Sequence, residues 1–397
     1  HVSTGEISLS ATQKNALSES TLDAIYGAGR LQKLLDRDDL EDVAIRGADN
    51  VWLYYADGRV ERGPAVVESD ADFITDLQHL AATNPSGERA FNAANPRLDL
   101  SLPSGHRLTA TMDVVRRPAC TIRFHRHVDV DLGDLVELGS IDDTLRQFLA
   151  AAIRAGASIV VAGLPGSGKT TLIRALLNEL HPTVPLATVE TEFELHLDAP
   201  EMAHRHVNVW ASQSRRGGEE GAGEISLSDL IRDSLRHSVD RIVVGEVRGQ
   251  EVLAMFAAMT SATGSVSTIH SKSAPNTLHR LATCALEAGV PREYAYDLIG
   301  DNIDLIVYQQ VVDERPIGGR KHRFVSEVLA VEASPDQPDG VGLTPIFKPD
   351  QTGRAVATGQ MPPFVDALRR VGYDPGWLST GSSSWPPVEF VSQEVYR

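Results

Sequence analysis

Short apolar and alternating runs dominate the first third of the chain. They predict strands at 43–45, 51–55, 98–102, 105–111 and 120–124. Phe73, Leu77 and Leu80 recur at the spacing of one helical face, which predicts a helix among these strands. Together the elements predict a small α+β domain over residues 21–127. Residues 1–20 are polar and show no period, which predicts a mobile tail.

Farther along the chain, compact apolar runs alternate with helical segments. These runs lie at 158–162, 186–190, 241–245, 265–269 and 303–307. Strands that alternate with helices typically form a parallel sheet with helices on both faces, so residues 140–331 are predicted to form an α/β domain. The polar, acidic stretch 128–139 is predicted to be a linker. Residues 332–397 are rich in Pro, Gly and Ser and are predicted to be an appendage.

A glycine-rich segment follows the first of these runs. It reads Gly163-Leu164-Pro165-Gly166-Ser167-Gly168-Lys169-Thr170, the Gly-x-x-x-x-Gly-Lys-Thr spacing of a phosphate-binding loop, or Walker A motif. Glycines let backbone N–H groups turn toward phosphate oxygens at the positive end of the following helix. Lys169 is expected to reach the β and γ phosphates, and the Thr170 hydroxyl to bind Mg²⁺. The loop and the adjoining Thr171 are therefore predicted to bind ATP with Mg²⁺.

Three further strands end in side chains suited to phosphate chemistry. Glu246 follows the run 241–245 and is predicted to hold Mg²⁺ through water, because Mg²⁺ keeps several of its waters. Glu190 ends the run 186–190 and is the best candidate to position or deprotonate the attacking water. The alternative is that Glu190, Glu192 and Glu194 form a solvated edge, since alternation places them on one face. His270 follows the run 265–269 and is expected to report whether a γ-phosphate is present.

Composition and charge limit the classes of function. The 397 residues are 42% hydrophobic and 23% charged, as in a soluble globular protein, and are enough for two domains. The two cysteines exclude a disulfide framework, and no apolar run is long enough to cross a bilayer, so a cytoplasmic location is expected. Because 37 basic and 54 acidic residues give a net charge of −17, direct binding of nucleic acid is not expected.

Blocks in this order resemble the secretion-ATPase superfamily of type II and type IV secretion. Residues 188–195 resemble its acidic "Asp box", 241–249 its Walker B strand and 264–271 its "His box". The flanking segments 31–47, 102–108 and 357–364 are similar to tight-adherence pilus ATPases of the CpaF type. The resemblance implies an α/β fold, with a RecA-like P-loop NTPase C-terminal domain and a smaller α+β N-terminal domain.

The same resemblance implies a mode of action. Such proteins form homo-hexameric rings on the cytoplasmic face of the membrane, hydrolyse ATP, and transmit domain motion to inner-membrane platform proteins. Arg123 and Arg236 match family arginines near the phosphates, and surface salt bridges are the alternative for both. Thr191 departs from the pattern, since the family usually has an acid there, and this leaves Glu190 to act alone.

Two other functions stay open at this level. The first is a conjugative or DNA-uptake translocase, because a shared fold does not fix the substrate. The second is a scaffold that binds nucleotide without hydrolysing it. Intact Lys169, Thr170, Glu190 and Glu246 weigh against the scaffold.

Overall fold

The computed structural model describes residues 31–55, 58–83, 90–102, 105–124, 129–215, 223–337, 339–379, 381–387 and 390–391. Internal contacts divide the chain into two compact units, His1–Arg126 and His127–Arg397. The predicted tail, residues 1–20, lies outside the described residues. Within the described part of the chain, no helix is both long and apolar enough to cross a membrane.

The first unit is built on an antiparallel sheet. Its described strands are β1 (Leu40–Arg46), β2 (Val51–Tyr55), β3 (Val60–Gly63), β4 (Arg97–Ser101), β5 (Arg107–Thr111) and β6 (Ala119–Arg123), in the order β3-β2-β1-β6-β5-β4. Helices α1 (Gln32–Leu35) and α2 (Asp70–Thr83) accompany them. Alternate residues such as Val43 and Ile45 are buried with Phe73 and Leu77 of α2. This half-buried alternation is what antiparallel strands packed on one face require.

The second unit is built on a larger, mixed sheet. Its described strands are β7 (Ile159–Gly163), β8 (Leu186–Glu190), β9 (Val209–Gln213), β10 (Arg241–Val247), β11 (Val266–His270), β12 (Leu305–Asp313), β13 (Lys321–Ala333), β14 (Val341–Pro349) and β15 (Ala355–Ala357). They run in the order β15-β14-β13-β12-β7-β11-β10-β8-β9. The strands from β12 to β9 pair in parallel, and those from β12 to β15 pair antiparallel.

Helices cover both faces of this sheet. They are α3 (Leu132–Glu137), α4 (Asp143–Arg154), α5 (Lys169–Leu177), α6 (Leu227–Ser234), α7 (Val252–Ser261), α8 (Ala274–Glu287), α9 (Arg292–Asn302) and α10 (Val365–Arg370). Every residue of β7 and β8 is buried, as expected of strands covered on both sides. The predicted combination of an α+β part and an α/β part is thereby confirmed.

The structure differs from the predictions for the two polar stretches. Within the predicted linker 128–139, α3 places Leu132 and Leu135 in the core of the second unit. The carboxylate of Asp131 caps this helix by accepting from the N–H groups of Gly133 and Asp134. The acidic residues that suggested a solvated linker thus begin a helix.

The predicted appendage 332–397 also belongs to the second unit. Its strands β14 and β15 extend the sheet, and Phe347 is fully buried. The buried carboxylate of Asp142 accepts from the N–H of Ser384, and the buried Arg354 donates to the carbonyl of Pro386. Hydrogen bonds of Asp142 and Arg354 hold part of this segment against the rest of the second unit. Such contacts need few apolar residues, so the composition of the segment resembles that of a loop.

His206 lies just before β9, and its lowered pKa should make the free energy of unfolding depend on pH. Its Nε2 lies 2.8 Å from Oδ1 of Asn178, and burial, reinforced by Arg205 and His204, lowers the pKa of His206 to about 4. An unfolded histidine takes up a proton near pH 6.5, so this contribution is complete above that pH and is lost as the pH falls toward 4. Between pH 7.5 and pH 5, the free energy of unfolding should fall by about 2 kcal/mol more than in His206→Gln.

Urea denaturation at the two pH values measures this difference. Glutamine keeps a donor for Asn178 but does not titrate, so the variant controls for every other group that does. Equal falls in the two proteins would show that His206 contributes nothing to the acid sensitivity.

Candidate functional site

The carboxyl ends of four parallel strands meet at one edge of the second sheet. Gly163 of β7 pairs with His270 of β11, and Ile269 of β11 pairs with Val247 of β10. Glu190 ends β8, the next strand along. Ligands of open α/β sheets bind beyond the carboxyl ends of the strands, so this edge is where a site is expected.

The phosphate loop leaves β7 at Gly163 and enters α5 at Lys169. Lys169 is buried, and its Nζ donates to the carbonyl oxygens of Gly163 and Leu164, each at 3.2 Å. The same Nζ lies 3.1 Å from Nδ1 of His270. An ammonium has only donors, so Nδ1 must accept and the ring proton belongs on Nε2. Burial lowers the pKa of Lys169 to about 8, and Glu246 and Glu194 oppose that effect.

Residues of the β12–β13 hairpin contact the phosphate loop at Gly166 and Gly168. Nε of Arg323 donates to the carbonyl of Gly166 at 2.9 Å. The Gln309 side chain is buried beside Gly168, and its Oε1 has no hydrogen-bond partner among the described residues. The hairpin therefore determines how much room the loop has, and this is one reason why the loop needs glycine.

Gly168 provides a test of this packing. Its φ is +95°, and a Cβ there would lie 3.0 Å from Nε2 of Gln309. Gly372 has a φ of +88° with no atom within 4 Å of a Cβ, so Gly372→Ala carries the same backbone strain without the contact. We expect Gly372→Ala to leave nucleotide affinity unchanged. Gly168→Ala should weaken the binding of ATP and of ADP by at least about tenfold, because the loop must shift to make room for the Cβ.

Fluorescent-nucleotide titration of the two variants measures the effect. Similar affinities in both would show that the hairpin does not constrain the loop.

Glu246 lies in an irregular part of β10. The pairing of β10 with β11 shifts register between Val244 and Val247, which turns this residue toward the loop edge. Its Oε1 lies 2.7 Å from Nε2 of His270, and its Oε2 lies 2.5 Å from Nη2 of Arg248. Burial opposes ionisation, but His270 and Arg248 outweigh it and lower the pKa of Glu246 to about 2. The carboxylate is therefore charged at neutral pH.

The acidic segment after β8 folds back on itself. Oε2 of the buried Glu190 accepts from the N–H groups of Glu194 and Leu195, at 2.8 and 2.9 Å. Arg174 of α5 donates to the carbonyl oxygens of the same two residues. Burial raises the pKa of Glu190 to about 7 although the two N–H groups favour its charged form. Glu190 thus shapes the segment and has a proton affinity matched to neutral pH.

This turn brings a residue to the site that the sequence analysis did not select. Oγ1 of Thr170 lies 3.4 Å from Oε2 of Glu194. The alternative of a single solvated acidic face assumed a continuing strand, whereas β8 ends at Glu190. Leu195 and Leu197 are buried, and these apolar residues directly after the acids were the available sign of a return to the core.

Oxygen donors suited to a divalent cation lie near Lys169, whose pKa both Glu246 and Glu194 affect. The Thr170 hydroxyl and Glu194 lie together, and Glu246 lies by His270, which contacts Lys169. Among the described residues, no three His, Cys, Asp or Glu side chains form a metal-binding group. Hard oxygen donors in small number fit Mg²⁺, which is usually held by one or two carboxylates together with substrate phosphates.

The two predicted arginines form ion pairs within their own units. Nε of Arg123, at the end of β6, lies 3.1 Å from Oδ1 of Asp42. Nη1 of Arg236, just after α6, lies 3.5 Å from Oδ1 of Asp233, and its side chain is 75% exposed. Their proposed role near the phosphates stays a prediction. Lys169, Thr170, Glu246 and His270 are the predicted residues that the structure brings together, joined by Glu194 and Arg248.

The chain is similar to known proteins over most of its length. A model of the family described as type II/IV secretion system protein matches residues 67–341. The chain is 30% identical over 293 residues to a Mycobacterium tuberculosis protein whose name refers to conjugal transfer, which covers 72% of this chain and 80% of that protein. It is 28% identical over 326 residues to the type IV secretion system protein PtlH of Bordetella pertussis, covering 75% of this chain and 92% of PtlH.

A solved structure shows the same fold. The Legionella pneumophila ATPase DotB superposes with a TM-score of 0.54 at 21% identity, over 76% of this chain and 79% of DotB. This likeness confirms an N-terminal domain followed by a RecA-like C-terminal domain. Because the family model spans more than half of the 397 residues, the chain belongs to the type II/IV secretion system protein family.

Proposed function

We propose that the protein hydrolyses ATP with Mg²⁺ and uses the energy to drive a pilus-assembly or secretion machine. The observation that carries the proposal is the chain of contacts from the phosphate loop through Lys169 and His270 to Glu246. A P-loop lysine for the phosphates and a carboxylate at the end of a nearby strand for Mg²⁺ are the groups that P-loop enzymes use for phosphoryl transfer from a nucleotide. The matching family supports the same class of motor.

The residues have separate tasks in this mechanism. Lys169 leaves the loop carbonyls and neutralises the β and γ phosphates. Thr170 and Glu246, with Glu194 nearby, would hold Mg²⁺ and its waters, and the ion would supply charge neutralisation on the phosphates. Glu190, with a pKa near neutrality, positions water for in-line attack. His270 touches both Lys169 and Glu246, so loss of the γ-phosphate changes its contacts and couples the site to domain motion.

The finer assignment is a CpaF-like tight-adherence pilus ATPase. We infer a cytoplasmic homo-hexamer at the inner face of the membrane that acts on platform proteins there. Arg123 and Arg236 are then candidates to reach phosphates, in their own or a neighbouring subunit. The similarity of segments 31–47, 102–108 and 357–364 to that group supports this assignment.

A phosphate-release assay with Mg²⁺ and ATP tests the reaction. Mass photometry with and without a non-hydrolysable ATP analogue tests the ring. Absence of turnover in an assembled ring would favour the scaffold. Co-purification of the protein with pilin and with inner-membrane platform proteins tests the pilus assignment.

One observation favours a second candidate, a conjugative DNA translocase. A relative at 30% identity has a name that refers to conjugal transfer. The net charge of −17 disfavours direct contact with DNA. Stimulation of ATP turnover by DNA would support the translocase, and no stimulation is expected for a pilus motor.

A further inference from the structure

Arg248 is a cation at the loop edge to which the mechanism above gives no task. It directly follows β10, and the pairing of Val247 with Ile269 sets it level with His270. Its backbone is fixed, because Nη2 of Arg280 donates to the Arg248 carbonyl at 2.7 Å. Its side chain is 58% exposed. The residue therefore combines an anchored backbone with a guanidinium at the surface of the site.

The Arg248 guanidinium forms an ion pair with Glu246, the carboxylate that the proposed mechanism assigns to Mg²⁺. Nη2 of Arg248 holds one oxygen of Glu246, while Nε2 of His270 holds the other. Lys169 likewise donates hydrogen bonds to the carbonyl oxygens of Gly163 and Leu164. In this state the cations of the site are all paired with groups of the protein.

A bound nucleotide changes these pairings. Lys169 would leave the carbonyls for the phosphates, and Glu246 would turn to Mg²⁺ and its waters. Arg248 would then lose its carboxylate beside a γ-phosphate that carries nearly two negative charges. A guanidinium is always charged and its planar fork matches two phosphate oxygens, so it suits this group better than a lysine does. A partly exposed ion pair such as Arg248–Glu246 is also easily exchanged.

We propose that Arg248 exchanges Glu246 for the γ-phosphate and gives the site its preference for ATP over ADP. The proposal rests on the proposed function, since it requires that ATP binds at this loop. It makes Arg248 a γ-phosphate-binding residue. If Arg248 only restrained Glu246, its loss would affect ATP and ADP alike, because both nucleotides bring Mg²⁺ to the loop.

The experiment measures dissociation constants for ADP and for a non-hydrolysable ATP analogue, both with Mg²⁺, by fluorescent-nucleotide displacement on the full-length protein. In Arg248→Ala the analogue should bind roughly ten- to hundredfold more weakly, the loss of one charge-assisted hydrogen-bonding group. ADP should change by less than about threefold. Arg248→Lys keeps the charge without the fork and should recover part of the preference.

Arg369→Ala is the matched control. Arg369 is also 58% exposed and pairs with a carboxylate near in sequence, Asp366, on α10. This variant should leave both dissociation constants unchanged. If Arg248→Ala unfolds, as circular dichroism would show, Arg248→Lys provides the comparison.

The outcomes separate the two proposals. Equal weakening of both nucleotides in the Arg248 variants, or no change in either, overturns the role of Arg248. Failure of the wild-type protein to bind either nucleotide overturns the proposed function itself.

Discussion

Replacing Lys169 by alanine is expected to lower ATP turnover by at least about a hundredfold. The Lys169 ammonium is a buried cation at the loop, within hydrogen-bonding distance of two loop carbonyls and of His270. Lys169 is itself buried, and a fixed charge removed from water stabilises developing phosphate charge far more than one in bulk solvent does. Its removal therefore affects the transition state as well as binding of the β and γ phosphates.

Phosphate release under saturating ATP measures this effect. Lys348→Ala is the control, because Lys348 is exposed on β14, which is not one of the parallel strands that end at the site. The control should keep the wild-type rate. A Lys169→Ala protein that hydrolysed ATP at the wild-type rate would remove the loop from the mechanism.

The parallel strands of the site could be predicted because each carries its own local signal. The run 158–162 is apolar after its first residue and leads into the glycines, and Glu246 and His270 each follow a similar run. Parallel strands place their carboxyl ends at one edge, so strand ends alone bring these residues together. The observed register of Gly163 with His270 follows this logic.

Features that depend on turns and long-range pairing could not be predicted in this way. Glu194 reaches Thr170 because the chain reverses after β8, and the three acids themselves show only alternation. Arg323 reaches Gly166 across 157 positions of sequence, through the antiparallel pairing of β12 with β13. The Asp142–Ser384 hydrogen bond spans 242 positions and anchors a segment whose composition is that of a loop. Local periodicity carries no information about such partners.

Glu190→Gln is the variant that decides which acid serves the attacking water. We expect ATP turnover to fall by at least about a hundredfold, the usual contribution of a general base, while affinity for a non-hydrolysable ATP analogue changes less than about threefold. Both N–H donors bond to one oxygen of Glu190, so a glutamine carbonyl can accept them and preserve the segment. The variant thus removes the charge without removing the fold around it.

Two neighbouring acids complete the test. Glu192 accepts from Nε2 of Gln213 at 2.9 Å, so Glu192→Gln changes a carboxylate of the same segment outside the proposed mechanism and should keep the wild-type turnover. Glu194→Gln reports on the acid beside Thr170. If Glu190→Gln kept its turnover while Glu194→Gln lost it, Glu190 would be the residue that shapes the segment and Glu194 the one that acts on water or Mg²⁺. Because the three variants differ from the wild type by one amide each, a difference among them must come from position and not from charge alone.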